Sequence, residues 1–274
     1  SYLSILCYSD PIMSKEFFIY GRKPVEEALL HKPGRIIRVY IKDTVKGDAF
    51  ANIRSLAVGN KIPVNSIDEK QIQKFLADDV NHQGVIALSK PFEYTNLDTW
   101  LSESVGYKKS DETVDNTTIL ILDHLTDVSN LGAIVRSSTA SGIDAIIVAE
   151  LNQAPVTSAV YKTSAGKVGR IPIIQVGNIN QAIAKLKEFR FWISGLATPE
   201  NIIEYGGSTD IWQYDFKTGN NAIIVGNEAE GIRFKTREHC DTLISIPMEH
   251  EVESLNASVS AALVCYEVKR QKTT

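Results

Sequence analysis

The chain has 274 residues, of which 43% are hydrophobic and 23% charged, so it is long enough for two globular domains and is not a disordered chain. No apolar run approaches the ~20 residues that a membrane-spanning helix needs, so we expect no membrane partner. The three cysteines, Cys7, Cys240 and Cys265, are odd in number and scattered. This usage indicates a reducing, cytoplasmic setting and no disulfide framework.

The charge is unevenly distributed along the chain. The net charge of −4 does not point to nucleic acid. However, residues 1–90 carry 13 Lys and Arg against 10 Asp and Glu, whereas residues 91–274 carry 16 against 23. A modest basic excess at the front is compatible with an RNA-binding domain but does not establish one.

The first twelve residues show no pattern that pairs them with the rest of the chain. Met13 begins a segment that has the character of a natural start. We therefore interpret residues 1–12 as a tag, a leader or a misassigned start. A signal peptide is the weaker alternative, because a charged segment before the apolar run is missing.

Residues 13–90 alternate between strand-like and helix-like segments. The segment YGRKP opens a helix, with Pro24 in its first turn. Strands are predicted at 36–41 and 84–88, helices at 50–58 and 68–76, and an extended segment from 63. This alternation predicts a small α/β domain. Arg22 and Lys23 are candidates for RNA contact, and ordinary solvated surface is an equally good explanation of them.

Residues 91–116 change character and are predicted to join two domains. A short helix fits residues 96–103, and the polar, aperiodic residues 106–112 indicate a flexible linker. The second domain, 117–274, then opens with a buried strand at 118–122, a polar loop at 123–132, a helix at 133–141 and a strand at 144–148. That order predicts a parallel βαβ unit.

The segment 154–169 combines small residues with lysines. Ser164 and Lys167 have the S-x-x-K spacing of some serine acyl-transferases, but the companion motifs of those enzymes are missing. Lys162, Lys167 and Arg170 are candidates for phosphate contacts. Beyond them we predict strands at 171–176 and 191–196, a helix at 179–189, and a helix around Tyr205.

Two short, β-branched runs near the end, at 222–225 and 243–246, predict buried parallel strands. Each leads into a loop rich in Gly, Glu, Asn and Ser. Ligands bind at the carboxyl ends of strands in open α/β sheets, so both loops are candidate sites. A helix with small residues on its surface follows, and Ser254 is a plausible N-cap for it.

Several common chemistries have no signature in the chain. Gly226 and Gly231 have the glycine spacing of a P-loop, but Ile232 stands where Lys is required. No dinucleotide-binding glycine motif follows a strand, and the histidines and cysteines show no ligand spacing. We expect no metal.

The segments VGNEAEG, LISIPM and VESLNASVSAAL resemble motifs two and three of the SpoU (TrmH) family of RNA ribose 2′-O-methyltransferases. The strand–loop–helix unit resembles motif one, in which the family's Asn and Arg match Asn130 and Arg136. The likeness is greatest to the RlmB-type 23S rRNA (guanosine-2′-O-)-methyltransferases, and it covers residues 20–270. Val128 stands where the family usually has Pro, and His250 where it usually has Gly.

The resemblance implies a fold and a reaction. The C-terminal domain would be an α/β methyltransferase domain with a parallel sheet and the deep trefoil knot of SPOUT proteins. Residues 13–90 would be similar to ribosomal protein L30e, with GRKPVEEAL and NHQG as signatures. S-adenosylmethionine would donate a methyl group to a ribose 2′-hydroxyl of RNA. The family's site is shared across a subunit interface, which implies a homodimer.

The resemblance also assigns site residues. The catalytic set would be Arg136, Asn130, Glu228 and Asn256. The cofactor would be held by Ala197, Thr198, Gly226, Asn227, Gly231, Ile246, Met248, Ser254, Leu255 and Asn256. RNA would be held by Arg22, Lys23, Arg136, Lys162 and Lys167.

Two alternatives to a 23S rRNA methyltransferase stay open. One is the same chemistry on tRNA; the additional N-terminal domain favours rRNA, by analogy alone. The other is a non-catalytic RNA-binding or ribosome-assembly factor on the same scaffold. The presence of Asn130, Arg136, Glu228 and Asn256 argues against it.

Overall fold

We describe the fold from a computed structural model. The structure describes residues 16–45, 47–77, 80–105, 116–197, 207–227, 231–249 and 254–273. They form two sheets, one in each half of the chain. The α/β class expected from the sequence is confirmed. Among the described residues, no helix combines the length and apolar character required to cross a membrane.

The N-terminal domain is built on a four-stranded sheet. Its elements are β1 (Phe17–Tyr20), α1 (Arg22–His31), β2 (Ile36–Lys42), α2 (Asp48–Gly59), β3 (Val64–Ile67), α3 (Glu69–Ile72) and β4 (Val85–Ser89). The strand order is β1-β4-β2-β3, in which β4 is antiparallel to both β1 and β2, and β3 is parallel to β2. The sequence pattern missed β1 because only four residues of it pair.

The two faces of this sheet differ in how they are covered. Val39 and Ile41 face α1 and α2 and are fully buried. Tyr40, between them, points to the opposite face, as the two-residue period of a strand requires. Among the described residues, α3 and the turns after it cover that face. The helix predicted over 68–76 is shorter in the structure. A capping box between Asp68 and Gln71 starts it, and it ends at Ile72.

The C-terminal domain is a parallel sheet with helices on both faces. Its elements are α4 (Leu97–Trp100), β5 (Thr118–Asp123), α5 (Val128–Ser141), β6 (Ala145–Ala149), α6 (Ser158–Thr163), β7 (Ile173–Val176), α7 (Ile179–Glu188), β8 (Phe191–Leu196), β9 (Thr209–Asp210), β10 (Asn220–Gly226), α8 (Phe234–Arg237), β11 (Thr242–Ser245) and α9 (Ala257–Thr273). The strand order is β7-β6-β5-β10-β8-β11-β9. Every described pairing in it is parallel.

Alternate residues of the central strands face two separate cores. Leu120 and Leu122 of β5 pack on the face covered by α5 and α9. Ile119 and Ile121 pack on the face covered by α4 and α7. Both sets are fully buried, which explains why the strands read as continuous apolar runs.

Part of the predicted linker belongs to the second sheet. Thr95 forms a parallel bridge with Ile174 at the edge strand β7. Trp100 and Leu101 are buried against the sheet. Residues 106–112, predicted to be flexible, lie outside the described residues, as does the helix predicted around Tyr205.

Two helix starts differ from the sequence prediction. Helix α5 begins at Val128 and not at 133, because the Asp127 carboxylate accepts a hydrogen bond from Ser129 N at 2.6 Å and caps it. Helix α9 begins at Ala257, and the Asn256 side chain accepts from Ser258 N at 2.9 Å. Asn256, and not Ser254, therefore provides the cap. In both helices a short side chain accepts a hydrogen bond from the backbone N–H two residues later, which would otherwise have no partner within the helix.

Candidate functional site

A cleft lies at the carboxyl ends of β8, β10 and β11, where the parallel sheet predicts a ligand site. Its empty volume is about 550 Å³, which includes the part that is open to solvent. Its predicted lining residues are Ala197, Gly226, Asn227, Gly231, Ile246, Met248, Ser254 and Leu255. Leu196, Val225, Ala257 and Ser260 also line it. The sequence analysis missed these four because they belong to strands and a helix that read as core.

The cleft is shaped by a close backbone approach between Gly226 and Gly231. The two amides of Asn227 and Gly231 bond to each other's carbonyls at 3.1 and 3.2 Å. A Cβ atom on Gly226 would lie 2.1 Å from the carbonyl carbon of Gly231. Gly231 also has φ +67°, in the left-handed region. Glycine at 226 is therefore required by space, and at 231 it suits the turn.

The walls of the cleft are mainly apolar side chains and backbone. Ile246 and Leu255 are half-buried and both line the cleft, and Ile246 also packs against the core. The glycine turn exposes backbone edges beside them. An apolar slot with a few backbone donors and acceptors fits a flat heterocycle such as adenine. The residues present thus fit the nucleoside part of the expected cofactor.

A buried ion pair that the sequence analysis did not find supports this turn. Asp123, at the end of β5, is fully buried and pairs in register with Gly226. Its carboxylate accepts from Arg233 N at 3.0 Å and from Arg233 Nε at 2.9 Å. His124 Nδ1 lies 2.9 Å from the same carboxylate. Asp123 therefore ties motif one to the segment that follows Gly231.

The predicted catalytic residues of motif one lie on α5. Asn130 is buried in its first turn. Arg136 is exposed, has no ion-pair partner among the described residues, and does not line the cleft. Asn256 caps α9 beside the cleft without lining it. The structure thus brings eight of the ten predicted cofactor residues to one cleft and leaves the Arg136 guanidinium outside that cleft.

Two of the predicted site residues, Thr198 and Glu228, lie outside the described residues. His250, where the sequence differs from the family pattern, lies outside them as well. Their predicted roles stay predictions. Within the described ranges, no group of three His, Cys, Asp or Glu side chains could hold a metal ion.

Lys162 and Lys167, predicted to meet phosphates, lie at the contact between the two domains. Lys162 Nζ donates to the carbonyl of Asn81 at 2.9 Å. A Cβ atom on Gly21 would lie 2.9 Å from the same Nζ. Burial, with a smaller effect from the Arg22 charge, lowers the pKa of Lys162. The two N-terminal signatures, GRKPVEEAL and NHQG, therefore both take part in this contact.

Lys167 joins Arg170 on the carboxylate of Glu27 in α1. Lys167 Nζ lies 2.7 Å from Oε1, and Arg170 Nε lies 2.7 Å from Oε2. Burial opposes ionisation of Glu27, but these two cations outweigh it and hold its pKa below the ordinary value. Gly166, with φ +83°, lets α1 approach: its Cβ would lie 2.7 Å from Glu27 Cβ.

Arg22 and Lys23, the predicted RNA contacts of the first domain, start α1. The Arg22 backbone N–H donates to Gln83 Oε1 at 3.0 Å. Lys23 Nζ pairs with Glu26 at 2.7 Å. The hydrogen bond and the charge of Glu26 raise the pKa of Lys23. Both side chains are exposed, so both are accessible to a ligand.

Fold and cleft together define an α/β protein with a partly apolar cleft at the carboxyl edge of a parallel sheet. Two sequence families match the chain. The SpoU rRNA methylase family matches residues 117–266, and the RNA 2′-O ribose methyltransferase substrate-binding domain matches residues 18–95.

Relatives and solved structures agree with these matches. A candidate TrmH family tRNA/rRNA methyltransferase of Staphylococcus saprophyticus is 36% identical over 94% of this chain and 97% of its own. The SpoU methyltransferase AviRb of Streptomyces viridochromogenes has a similar structure, with a TM-score of 0.74, 22% identity, and coverage of 95% and 91%. An AdoMet-bound rRNA methyltransferase of Sinorhizobium meliloti is also similar in structure, with a TM-score of 0.72 and 22% identity. The match covers 94% of this chain and 88% of that protein.

The chain belongs to the SpoU (TrmH) family of RNA ribose 2′-O-methyltransferases. The family match covers more than half of the chain, and the resemblance inferred from the three motifs is confirmed at this level.

Proposed function

We propose that this enzyme transfers a methyl group from S-adenosylmethionine to the 2′-hydroxyl of a guanosine ribose in 23S rRNA, in the cytoplasm. The observation that carries the proposal is the glycine-turned, apolar cleft within the domain that matches the SpoU family. Structural relatives from Streptomyces viridochromogenes and Sinorhizobium meliloti hold AdoMet, which supports the choice of donor.

Donor binding is the proposed role of the cleft residues. Gly226 and Gly231 would offer backbone atoms, and Ile246 and Leu255 would enclose the adenine. The bound donor supplies an electrophilic methyl group on a sulfonium. No acid or base is needed at that end of the reaction, so the protein's task is at the acceptor.

A ribose hydroxyl is a poor nucleophile until its proton is removed. A guanidinium has hydrogen-bond donors and no acceptor, so Arg136 is a poor general base. We assign it the roles of phosphate clamp and orienter of the hydroxyl. Positioning of this kind can supply roughly 7–11 kcal/mol of a barrier. A bound phosphate, or Glu228, is then the candidate proton acceptor.

We further propose that the working enzyme is a homodimer in which Arg136 serves the partner's cleft. Two observations support this. Arg136 is exposed and does not line its own cleft. In addition, α9 presents Val259 and Tyr266 to solvent at 48% and 53% exposure, with Leu263 between them. An apolar stripe on the helix that lines the cleft fits a subunit contact.

The trefoil knot is part of the same proposal. It would be formed by the segment that follows Gly226 and the segment between β11 and α9. The close approach of Gly226 to Gly231 supports a tight crossing there. The antiparallel bridge between Asn227 and Gly231 points the same way.

The choice of rRNA rests on the additional N-terminal domain and on the family name. Curated relatives are named for both tRNA and rRNA, so tRNA is the second candidate. The test is transfer of label from S-adenosylmethionine to protein-free 23S rRNA and, separately, to bulk tRNA. We expect label in 23S rRNA alone. Label in tRNA alone would move the proposal to the second candidate, and label in neither would favour a non-catalytic factor.

A further inference from the structure

A second cavity lies on the sparsely covered face of the N-terminal sheet, away from the methyl-transfer cleft. Its empty volume is about 590 Å³, which includes the part that is open to solvent. Residues from β2, β3 and the α3 region line it, among them Tyr40, Asn65, Ser66, Gln71, Lys74 and Phe75. We call it the β2–β3 pocket. Its chemistry is different from that of the apolar cleft, because it combines aromatic rings with polar side chains.

Two aromatic rings line the β2–β3 pocket. The Tyr40 and Phe75 ring centroids are 5.6 Å apart, and Phe75 stacks on Phe18 at 4.9 Å. Phe18 is buried, whereas Tyr40 and Phe75 are half-buried. The buried ring thus supports two rings that keep accessible surface. Such rings stack nucleobases of any sequence, because every base has a flat π-face.

Unused hydrogen-bonding groups lie beside the rings. Asn65 is the neighbour of Tyr40 in the β2–β3 pairing. The Asn65 amide is exposed, and its side chain has no hydrogen-bond partner in the described part of the chain. Gln71 uses its Oε1 to accept from Asp68 N at 3.1 Å, which leaves its NH₂ group for a ligand. Amides and hydroxyls are the side chains that bond base edges.

Positive charge flanks the same pocket. Lys74 is exposed and has no ion pair among the residues that the structure describes. Arg38 is exposed two residues before Tyr40 on β2, so it lies on the same face of the strand. Lys42 is already paired with Glu69 at 2.5 Å. Lys74 lines the pocket and can therefore meet a phosphate beside a stacked base, whereas Arg38 lies on the same strand face without lining the pocket.

We propose that the β2–β3 pocket binds one unstacked nucleotide of the substrate RNA. The base stacks on Tyr40 and Phe75, Asn65 bonds its edge, and Lys74 contacts a flanking phosphate. The inference rests on the proposed function, since it presumes an RNA substrate. RNA is favoured over a small apolar ligand because the pocket pairs rings with unpartnered amides and an unpaired cation.

The test measures RNA affinity by fluorescence anisotropy, with the full chain and a labelled single-stranded 12-nucleotide RNA of mixed sequence. Asn65→Ala and Lys74→Ala change exposed side chains, so the fold is preserved. We expect each to weaken binding by about fivefold or more. Arg54→Ala is the matched control, because Arg54 is exposed on α2 at the opposite face; it should change binding less than about twofold.

Two further readouts separate a ligand contact from a structural effect. Lys74→Ala should reduce the slope of log affinity against log salt by about 0.7, the value for one phosphate on a single strand. RNA containing 4-thiouridine should cross-link on irradiation to the peptides that hold Tyr40 and Phe75. Equal losses in Lys74→Ala and Arg54→Ala, or cross-links confined to the C-terminal domain, would overturn the proposal.

The outcome can be separated from failure of the proposed function. Methyl transfer and S-adenosylmethionine binding are measured on the same proteins. If wild type methylates RNA and the pocket variants bind RNA normally, the pocket proposal is wrong and the function stands. If RNA binding depends on the pocket but no methyl group is transferred, the pocket proposal is supported and the function is contradicted.

Discussion

Glu27 and Arg170 belong to different domains, and the Nε atom of Arg170 lies 2.7 Å from Oε2 of Glu27. Lys167 occupies the other carboxylate oxygen at 2.7 Å. Glu27 is buried, with 8% of its surface exposed, whereas the Lys167 and Arg170 side chains are partly exposed. The contact holds α1 against the segment after α6, and so it fixes the N-terminal domain relative to the methyltransferase domain.

Replacing Glu27 by Gln should weaken this domain contact. The variant removes the charge that Lys167 and Arg170 share, and we expect a loss of about 1–3 kcal/mol of stability, since both cations can still reach water. Chemical denaturation and small-angle scattering would measure the loss and any separation of the domains. Glu26→Gln is the control, because Glu26 contacts Lys23 and Asn52 within its own domain.

The same contact should depend on pH in a defined direction. The pKa of Glu27 is lowered in the folded protein. Its stabilising contribution is therefore complete above the ordinary value of 4.5 and is lost as the pH falls through the lower, folded value. The stability difference between wild type and Glu27→Gln should be constant above about pH 5 and shrink below it. A constant difference down to pH 3 would contradict the pairing.

Gly226→Ala should strongly weaken donor binding. The added methyl group would lie 2.1 Å from the Gly231 carbonyl carbon, so the two segments of the turn must separate. We expect roughly 100-fold weaker binding of S-adenosylmethionine by calorimetry. Gly59→Ala is the control, since no heavy atom lies within 4 Å of a Cβ at that position. Unchanged donor affinity in Gly226→Ala would show that the donor binds elsewhere.

Asp123→Asn tests the ion pair beneath the cleft. The change leaves Arg233 without its buried counter-charge, but Arg233 is 40% exposed and can hydrate. We expect a stability loss of about 2–3 kcal/mol together with weaker donor binding. Asp98→Asn removes an exposed pair with Lys185 and should cost less than about 1 kcal/mol. Similar losses in the two variants would count against a special role for Asp123.

Arg136→Ala should separate catalysis from donor binding. Arg136 is exposed, so its removal should not disturb the fold. We expect turnover to fall by roughly 10²–10³ while the S-adenosylmethionine affinity changes less than about threefold. Arg136→Lys should recover only part of the rate, because it keeps the charge without the planar fork. Loss of donor affinity instead would contradict the role of orienter.

The sequence predicted the strands of the second domain well, because buried parallel strands are unbroken apolar runs. It also singled out the two loops that line the cleft, since Gly226 and Ile246 each follow or end such a run; their role in cofactor binding stays a prediction. The role of Asp123 was not predicted. A carboxylate at the end of a strand is common in loops, and its partner Arg233 lies 110 residues away in the sequence. Pairings of that separation leave no local pattern.

Lys162 and Lys167 show a related limit. A lysine that meets a phosphate and a lysine that meets another domain have the same residue type and spacing in the sequence. The structure distinguishes them by the partner, which is Asn81 for Lys162 and Glu27 for Lys167. Their predicted role in RNA binding stays a prediction, and it now requires that RNA compete with the domain contact.

The most direct test of the central claim is nucleoside mass spectrometry of 23S rRNA after reaction with labelled S-adenosylmethionine. We expect label in 2′-O-methylguanosine with wild type, and labelling rates roughly 100-fold lower with Arg136→Ala and, at subsaturating S-adenosylmethionine, with Gly226→Ala. Label in a base-methylated nucleoside, or wild-type rates of 2′-O-methylation in both variants, would contradict the proposal.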